Sequence, residues 1–206
     1  MKTLFVVMRS SFLVIALLAL VACSSEQQLE PLESDAVILA FGDSLTQGVG
    51  APRDKAYPQV LSELTGITVI NSGVSGETTA EGLERLPLVL GEYKPDLVIL
   101  MEGGNDILRN LSHAQAKANL SQMIQAIRIS GSQVVLMGIP EKNLFSNSAG
   151  FYQELADEHQ VVFDGDTMSE LLKTRSLKSD SIHLNSIGYR ELAKRVQELL
   201  QEQGAL

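Results

Sequence analysis

Two apolar runs constrain this chain more than any other feature. Asp96–Glu102 (DLVILME) and Gln133–Ile139 (QVVLMGI) are rich in Val, Leu and Ile and show no polar alternation. A strand with one wet face alternates polar and apolar residues, so unbroken runs fit strands covered on both faces, as in parallel sheets. Shorter runs at Ala36–Phe41, Thr68–Asn71 and Val161–Phe163 bring the predicted strands to five. Between and after them the spacing predicts helices over Pro58–Leu64, Thr79–Glu92, Ser112–Ser130, Ala149–Glu158 and Ser186–Gln203. Pro58 suits a first helical turn, where its missing N–H is unpaired anyway. Ser112 suits an N-cap and Gly131 a left-handed helix end. Ala116, Leu120, Met123, Ile124 and Ile127 recur three or four apart and give the third helix one apolar stripe. Alternation of this kind requires right-handed crossovers. The expected fold is α/β, a three-layer α/β/α sandwich around a mainly parallel five-stranded sheet. No internal repeat and no second domain is visible.

The first 22 residues read differently. Lys2 and Arg9 precede the uncharged run Ser10–Ala22. That run is too short for the ~20 residues of a membrane-spanning helix, and it ends in small residues, as export signals do. The only cysteine, Cys23, follows Leu20-Val21-Ala22, and the segment LVAC resembles the lipobox of bacterial lipoproteins. The resemblance implies a signal peptide over residues 1–22 and a lipidated Cys23 that anchors the chain in a membrane. Residues 23–34 then form a polar, flexible tether and residues 35–206 the domain. The expected location is an exported bacterial lipoprotein facing the periplasm or cell exterior, and Ser24 after Cys23 resembles outer-membrane sorting. The formal net charge of −9 becomes more negative once Lys2 and Arg9 are removed. Such a surface repels phosphate backbones, so no nucleic-acid partner is expected. With Cys23 lipidated no thiol is left for a disulfide, and the core alone must hold a domain expected to be monomeric.

Open α/β sheets bind ligands at the carboxyl ends of their strands, and four polar clusters lie there. Gly42-Asp43-Ser44-Leu45-Thr46-Gln47-Gly48 follows the first strand, and Asn71-Ser72-Gly73-Val74-Ser75-Gly76-Glu77 the second. Gly103-Gly104-Asn105-Asp106 follows the third, and Asp180-Ser181-Ile182-His183 precedes the last helix. Each alone serves an ordinary turn. Together they supply acyl transfer. A serine hydroxyl needs a base to remove its proton. Of the three histidines, only His183 has an acid, Asp180, placed to orient its ring. The backbone N–H groups of Ser44 and Gly73 and the Asn105 side-chain amide are candidate oxyanion donors.

The four blocks resemble those of SGNH hydrolases of the GDSL esterase/lipase family, with Ser44, Gly73, Asn105 and His183 matching the four named residues in order. NSGVSGETTAEGLERLP and PDLVILMEGGND are similar to the thioesterase I/lysophospholipase L1/arylesterase branch. The resemblance covers the domain. It implies a flavodoxin-like sheet and a Ser44-His183-Asp180 hydrolase, without cofactor or metal, acting on acyl esters, thioesters or lysophospholipids. The chain departs from that branch in two places. Ile107-Leu108-Arg109-Asn110 replaces Gly-Leu-Arg-Gly, and Leu184 follows the histidine where Pro is common. Ile107 adds bulk near the pocket wall.

Other polar residues have simpler roles. Asp43 is expected to bond backbone N–H groups of the nucleophile loop and Asp106 to anchor the loop of Asn105. His113 and His159 sit on polar helix faces. Glu77 and Glu102 flank the donor loops without being required, and Tyr57, Tyr93, Tyr152 and Tyr189 read as core-edge residues. A metal-dependent phosphoesterase is a rival reading, since Asp43, Asn105, Asp106 and His183 are ligand types. One histidine is a thin supply for two metals. A non-enzymatic lipoprotein is a second rival, but no member of the set is lost. No G-x-G-x-x-G follows the first strand, and no G-x-S-x-G elbow is present.

Overall fold

A computed structural model describes residues 29–142 and 147–206. The signal, Cys23 and the first part of the tether lie outside the described residues. Five strands form one parallel sheet: β1 (Val37–Gly42), β2 (Thr68–Gly73), β3 (Leu97–Met101), β4 (Gln133–Met137) and β5 (Val162–Asp164), in the order β2-β1-β3-β4-β5. Ile38 pairs with Leu97 and Val69, and Val98 with Val134. The expected α/β fold is present, each strand lying within two residues of its predicted span at either end. Every residue of β3 is fully buried, which is why its sequence lacks alternation.

Eight helices cover the sheet among the described residues: α1 (Ser44–Gln47), α2 (Tyr57–Thr65), α3 (Thr79–Tyr93), α4 (Gly104–Leu108), α5 (His113–Ile129), α6 (Gly150–His159), α7 (Thr167–Lys173) and α8 (Ser186–Glu202). Helices α2, α7 and α8 pack as one layer, and α3, α5 and α6 as the other. Their starts are set by side chains that satisfy orphan N–H groups. Ser112 accepts from Gln115 N, Asn185 from Ile187 N and Gly188 N, and Thr78 with Glu81 forms a capping box. Short α1, α4 and α7 were not anticipated. Each has seven residues or fewer, too few turns for a periodic signal to appear.

The last part of the expected tether is not free. Leu29 N–H donates to Gln203 O and Leu32 N–H to Ala205 O. The Glu30 backbone exchanges hydrogen bonds with the Gln133 side chain at 2.6 and 3.0 Å. Leu29 is buried. Its apolar side chain gains more by joining the core than by staying in water. Residues 29–34 therefore run against the amino end of the sheet. No helix among the described residues is long and apolar enough to cross a membrane.

Candidate active site

The strand order reverses between β1 and β3, and a crevice opens at their carboxyl ends. Ser44 leaves β1 as the first residue of α1, Asn105 leaves β3 in α4, and His183 precedes α8. Across 139 residues of chain, Ser44 Oγ lies 3.0 Å from His183 Nε2. On the other side of the ring, His183 Nδ1 lies 2.7 Å from Asp180 Oδ2. The second oxygen, Asp180 Oδ1, accepts from Ile182 N–H and His183 N–H, both at 2.8 Å. Asp180 thus builds the turn that carries the histidine as well as holding its ring. Although Asp180 is half exposed, its carboxyl lies below the usual range. Desolvation acts to raise it, and the His183 ring and the two backbone donors together outweigh that.

The nucleophile loop is held by Asp43, which is 2% exposed. Its Oδ1 accepts from Leu45 N–H at 3.0 Å, capping α1. Burial pushes the Asp43 carboxyl up to about 6, against the opposing pull of Leu45 N–H and His183. Its Oδ2 accepts from Asn105 Nδ2 at 3.2 Å, and the same amide donates to Glu77 O at 2.8 Å. The plane of the Asn105 amide is therefore fixed from two sides. Asp106 accepts from the backbone and hydroxyl of Thr79 at 2.9 and 2.7 Å, tying α4 to the start of α3 in the anchoring role expected of it.

Gly73 does not join this group. Its N–H donates to Asn71 Oδ1 at 3.0 Å, and a Cβ there would stand 2.1 Å from Gln47 N. The expected oxyanion donor at Gly73 is thus engaged elsewhere, and glycine is needed there because α1 crosses close above the end of β2. Gly76 differs. It has φ of 84°, a conformation that favours glycine. No described residue accepts its N–H or that of Ser44. Its carbonyl accepts from Arg109 at 2.7 Å, and the next carbonyl is the one that Asn105 holds. The signal that singles out Gly76 is a positive φ, which spacing alone does not reveal.

Several residues assigned lesser roles frame the site. Tyr57, Tyr152 and Tyr189 are fully buried rather than at the core edge. Tyr152 Oη donates to Glu102 O and Tyr189 Oη to Val49 O, both at 2.7 Å, pinning the loops that carry Asn105 and Ser44. Glu77 is buried and paired with Arg85 at 2.7 and 2.5 Å. Arg85 also donates to Ser72 and lies 4.1 Å over the Phe41 ring. Asn110 adopts φ of 54°, and asparagine is among the residues that tolerate that region. His113 and His159 lie away from the site, His159 bonded to Ser121.

Ser44 and His183 open on a cleft of about 110 Å³ walled by Leu45, Ile107, Ile139, Leu172 and Ile182. Among the described residues no group of three His, Cys, Asp or Glu side chains is arranged to hold a metal ion. A serine bonded to a histidine, with its own N–H unbonded and an apolar cleft before it, suits attack on an acyl carbon.

A family model described as the GDSL-like Lipase/Acylhydrolase family matches residues 40–191. An arylesterase of Vibrio mimicus is 39% identical over 134 residues, spanning 60% of this chain and 67% of that protein. The thioesterase 1/protease 1/lysophospholipase L1 of Escherichia coli (strain K12) is 31% identical over 156 residues, spanning 72% of this chain and 75% of that one. Among solved structures, AlinE4, an SGNH-hydrolase family esterase, aligns with a TM-score of 0.65 at 32% identity, over 83% of this chain and 97% of the other. With the sheet order and the crevice that it opens, these likenesses assign the chain to the GDSL-like lipase/acylhydrolase family, as an SGNH-type ester hydrolase.

Proposed function

We propose that this esterase works through Ser44, His183 and Asp180 by way of an acyl-enzyme. The observation that carries the reading is the unbroken Ser44–His183–Asp180 chain at 3.0 and 2.7 Å. His183 Nε2 takes the proton of Ser44 Oγ as Oγ bonds to the acyl carbon, and the carbonyl π-electrons move onto oxygen. Asp180 holds the tautomer that leaves Nε2 free and stabilises the imidazolium. The oxyanion rests on the Ser44 N–H, the Gly76 N–H and the Asn105 amide. Of the two Asn105 N–H groups, the one donated to Asp43 Oδ2 across an N···O distance of 3.2 Å leaves that acceptor for the oxyanion, while the other stays on Glu77 O. Collapse breaks the bond to the leaving alkoxide or thiolate, which takes the proton from His183. Water then repeats the sequence on the acyl-enzyme and frees the acid.

The cleft, at about 110 Å³, is well below the ~300 Å³ where pockets for larger ligands begin. Short acyl groups on an alcohol or thiol are the substrates that it fits best. Ser44→Ala and His183→Ala should each reduce hydrolysis of p-nitrophenyl butyrate by about 10⁴-fold or more, with circular dichroism unchanged. A phosphonate ester should label Ser44, as read by mass spectrometry. Turnover surviving at the wild-type rate in either variant would refute the reading.

We also propose that Cys23 is lipidated after removal of residues 1–22, so that the enzyme is a membrane-anchored monomer outside the cytoplasm with no nucleic-acid partner. The support is the n-region, apolar run and LVAC order at the start of the chain. A single acyl chain binds membranes only marginally, so stable anchoring needs more than one on Cys23.

A further inference from the structure

Glu102 takes no part in the reaction above, yet it is fully buried directly after β3. Its Oε2 accepts from Gly103 N–H at 2.9 Å, and its backbone carbonyl accepts from Tyr152 of α6. Oε1 is buried and no described residue donates a hydrogen bond to it. Three carboxyls meet here. Asp43 faces Glu102 from the β1–α1 junction, and Glu77 comes within hydrogen-bond reach from the loop before α3. Asp106 of α4 adds its charge beyond Asp43. The cation beside them is Arg85 of α3, and its guanidinium is committed to Glu77 and Ser72. Asp43, Glu77 and Glu102 beside one guanidinium in a dry interior cannot all be ionised, because desolvation and mutual repulsion both penalise the charge.

We propose that Glu102 is a positioning residue that carries a proton on Oε1 and donates it in a hydrogen bond to the Glu77 carboxylate. Glu77 is then gripped by Arg85 on one side and Glu102 on the other. That grip ties the Gly76–Glu77 loop to the strand end from which Gly103, Gly104 and Asn105 follow. It matters because Glu77 O holds the Asn105 amide at 2.8 Å. The oxyanion loop and the asparagine loop are thereby locked to each other at both backbone and side chain. Burial, reinforced by Asp43, pushes the Glu102 carboxyl well above the usual carboxylate range, the direction this bond requires.

The catalytic consequence rests on the Ser44 hydrolase reading; the protonation does not, and the two are tested separately. Infrared spectra of the full chain at pH 7 should contain the carbonyl stretch of a protonated carboxylic acid, and Glu102→Gln should remove it. The amide introduced by Glu102→Gln keeps both bonds, donating to Glu77 and accepting from Gly103. The kcat of this variant should therefore stay within about threefold of wild type. Glu102→Leu has no donor, and its kcat should fall about 10-fold or more with KM nearly unchanged. That loss should stop short of the ~10²–10³ that outright removal of an oxyanion donor costs. A wild-type spectrum without that band, or a Glu102→Gln enzyme as impaired as Glu102→Leu, would overturn the proposal. If Glu102→Leu does not fold, the band and Glu102→Gln decide alone. Phosphonate labelling of Ser44 in each protein reads the hydrolase assignment by itself. Its failure in wild type would reject that assignment and leave the infrared result standing.

Discussion

Asp43 carries two structural tasks at a thermodynamic cost. It caps α1 and holds the Asn105 amide, but its carboxyl is buried and its folded-state value stands at about 6 against an ordinary 3.8. Between those values the folded chain binds more protons at this position than the unfolded chain does. The contribution of Asp43 to stability is therefore full below pH 3.8 and falls as pH rises through 6. Asp43→Asn retains an oxygen for Leu45 N–H and never has to bury a charge. Its stability relative to wild type should rise from pH 4 to pH 7.5 by an amount on the order of 3 kcal/mol. Urea unfolding at the two pH values measures this, and a difference independent of pH would contradict it. Asp43 and Asp106 were both legible as anchors, because an acid at the start of a helix has an evident use. Glu102 was not: its neighbours arrive from the β1–α1 junction, from the loop before α3 and from α6, and nothing in its local sequence points to them.

At the level of elements, long helices declared themselves and short ones did not. Helices α5 and α8 show an apolar stripe and a side chain at the N-cap, and both signals are local. Helix α4 has only five residues, yet it carries Asn105 into the site and places Ile107 in the cleft wall at 4% exposure. A β-branched side chain at this point of the wall takes up room in the cleft. Ile107→Ala should raise kcat/KM for an octanoyl ester relative to a butyryl ester by about 10-fold or more, since one methylene alone is worth roughly 10-fold. A series of p-nitrophenyl esters measures the ratio. An unchanged ratio would place the length limit elsewhere in the cleft.

The whole molecule has two poles. Ser44, Asn105 and His183 stand at the carboxyl ends of the strands, whereas Leu29 and Glu30 are fastened beside Gln133 at the amino end of β4. Strands of five to six residues separate the poles by roughly 17–20 Å. From Cys23 to Leu29 the chain can span at most about 20 Å. On the proposal that Cys23 is lipidated, an anchor there would turn the cleft away from the bilayer. Hydrolysis of a water-soluble short-chain ester should be equal for the lipidated protein in vesicles and for a Cys23→Ala form in solution. Lysophospholipid in the same vesicle should be turned over several-fold faster once a long Gly/Ser linker is inserted after Ser25, because the domain can then reorient. Equal rates with and without the linker would show that the short tether does not restrict the cleft.

By itself the sequence determined the strands and the long helices, the covered parallel sheet, the Asp180–His183 pair and the position of Ser44 at the end of β1. Each of these is encoded within a few residues, through periodicity, capping or a short turn. Only the tertiary structure decided what meets across the crevice. It brought Ser44 to His183 over 139 residues, set Gly73 beneath α1 and left the Gly76 N–H without an acceptor among the described residues. It also buried Glu102 against Glu77. These pairings depend on the order of strands in the sheet and on how closely α1 crosses β2. Both follow from packing among side chains remote in sequence, and no local pattern carries that information.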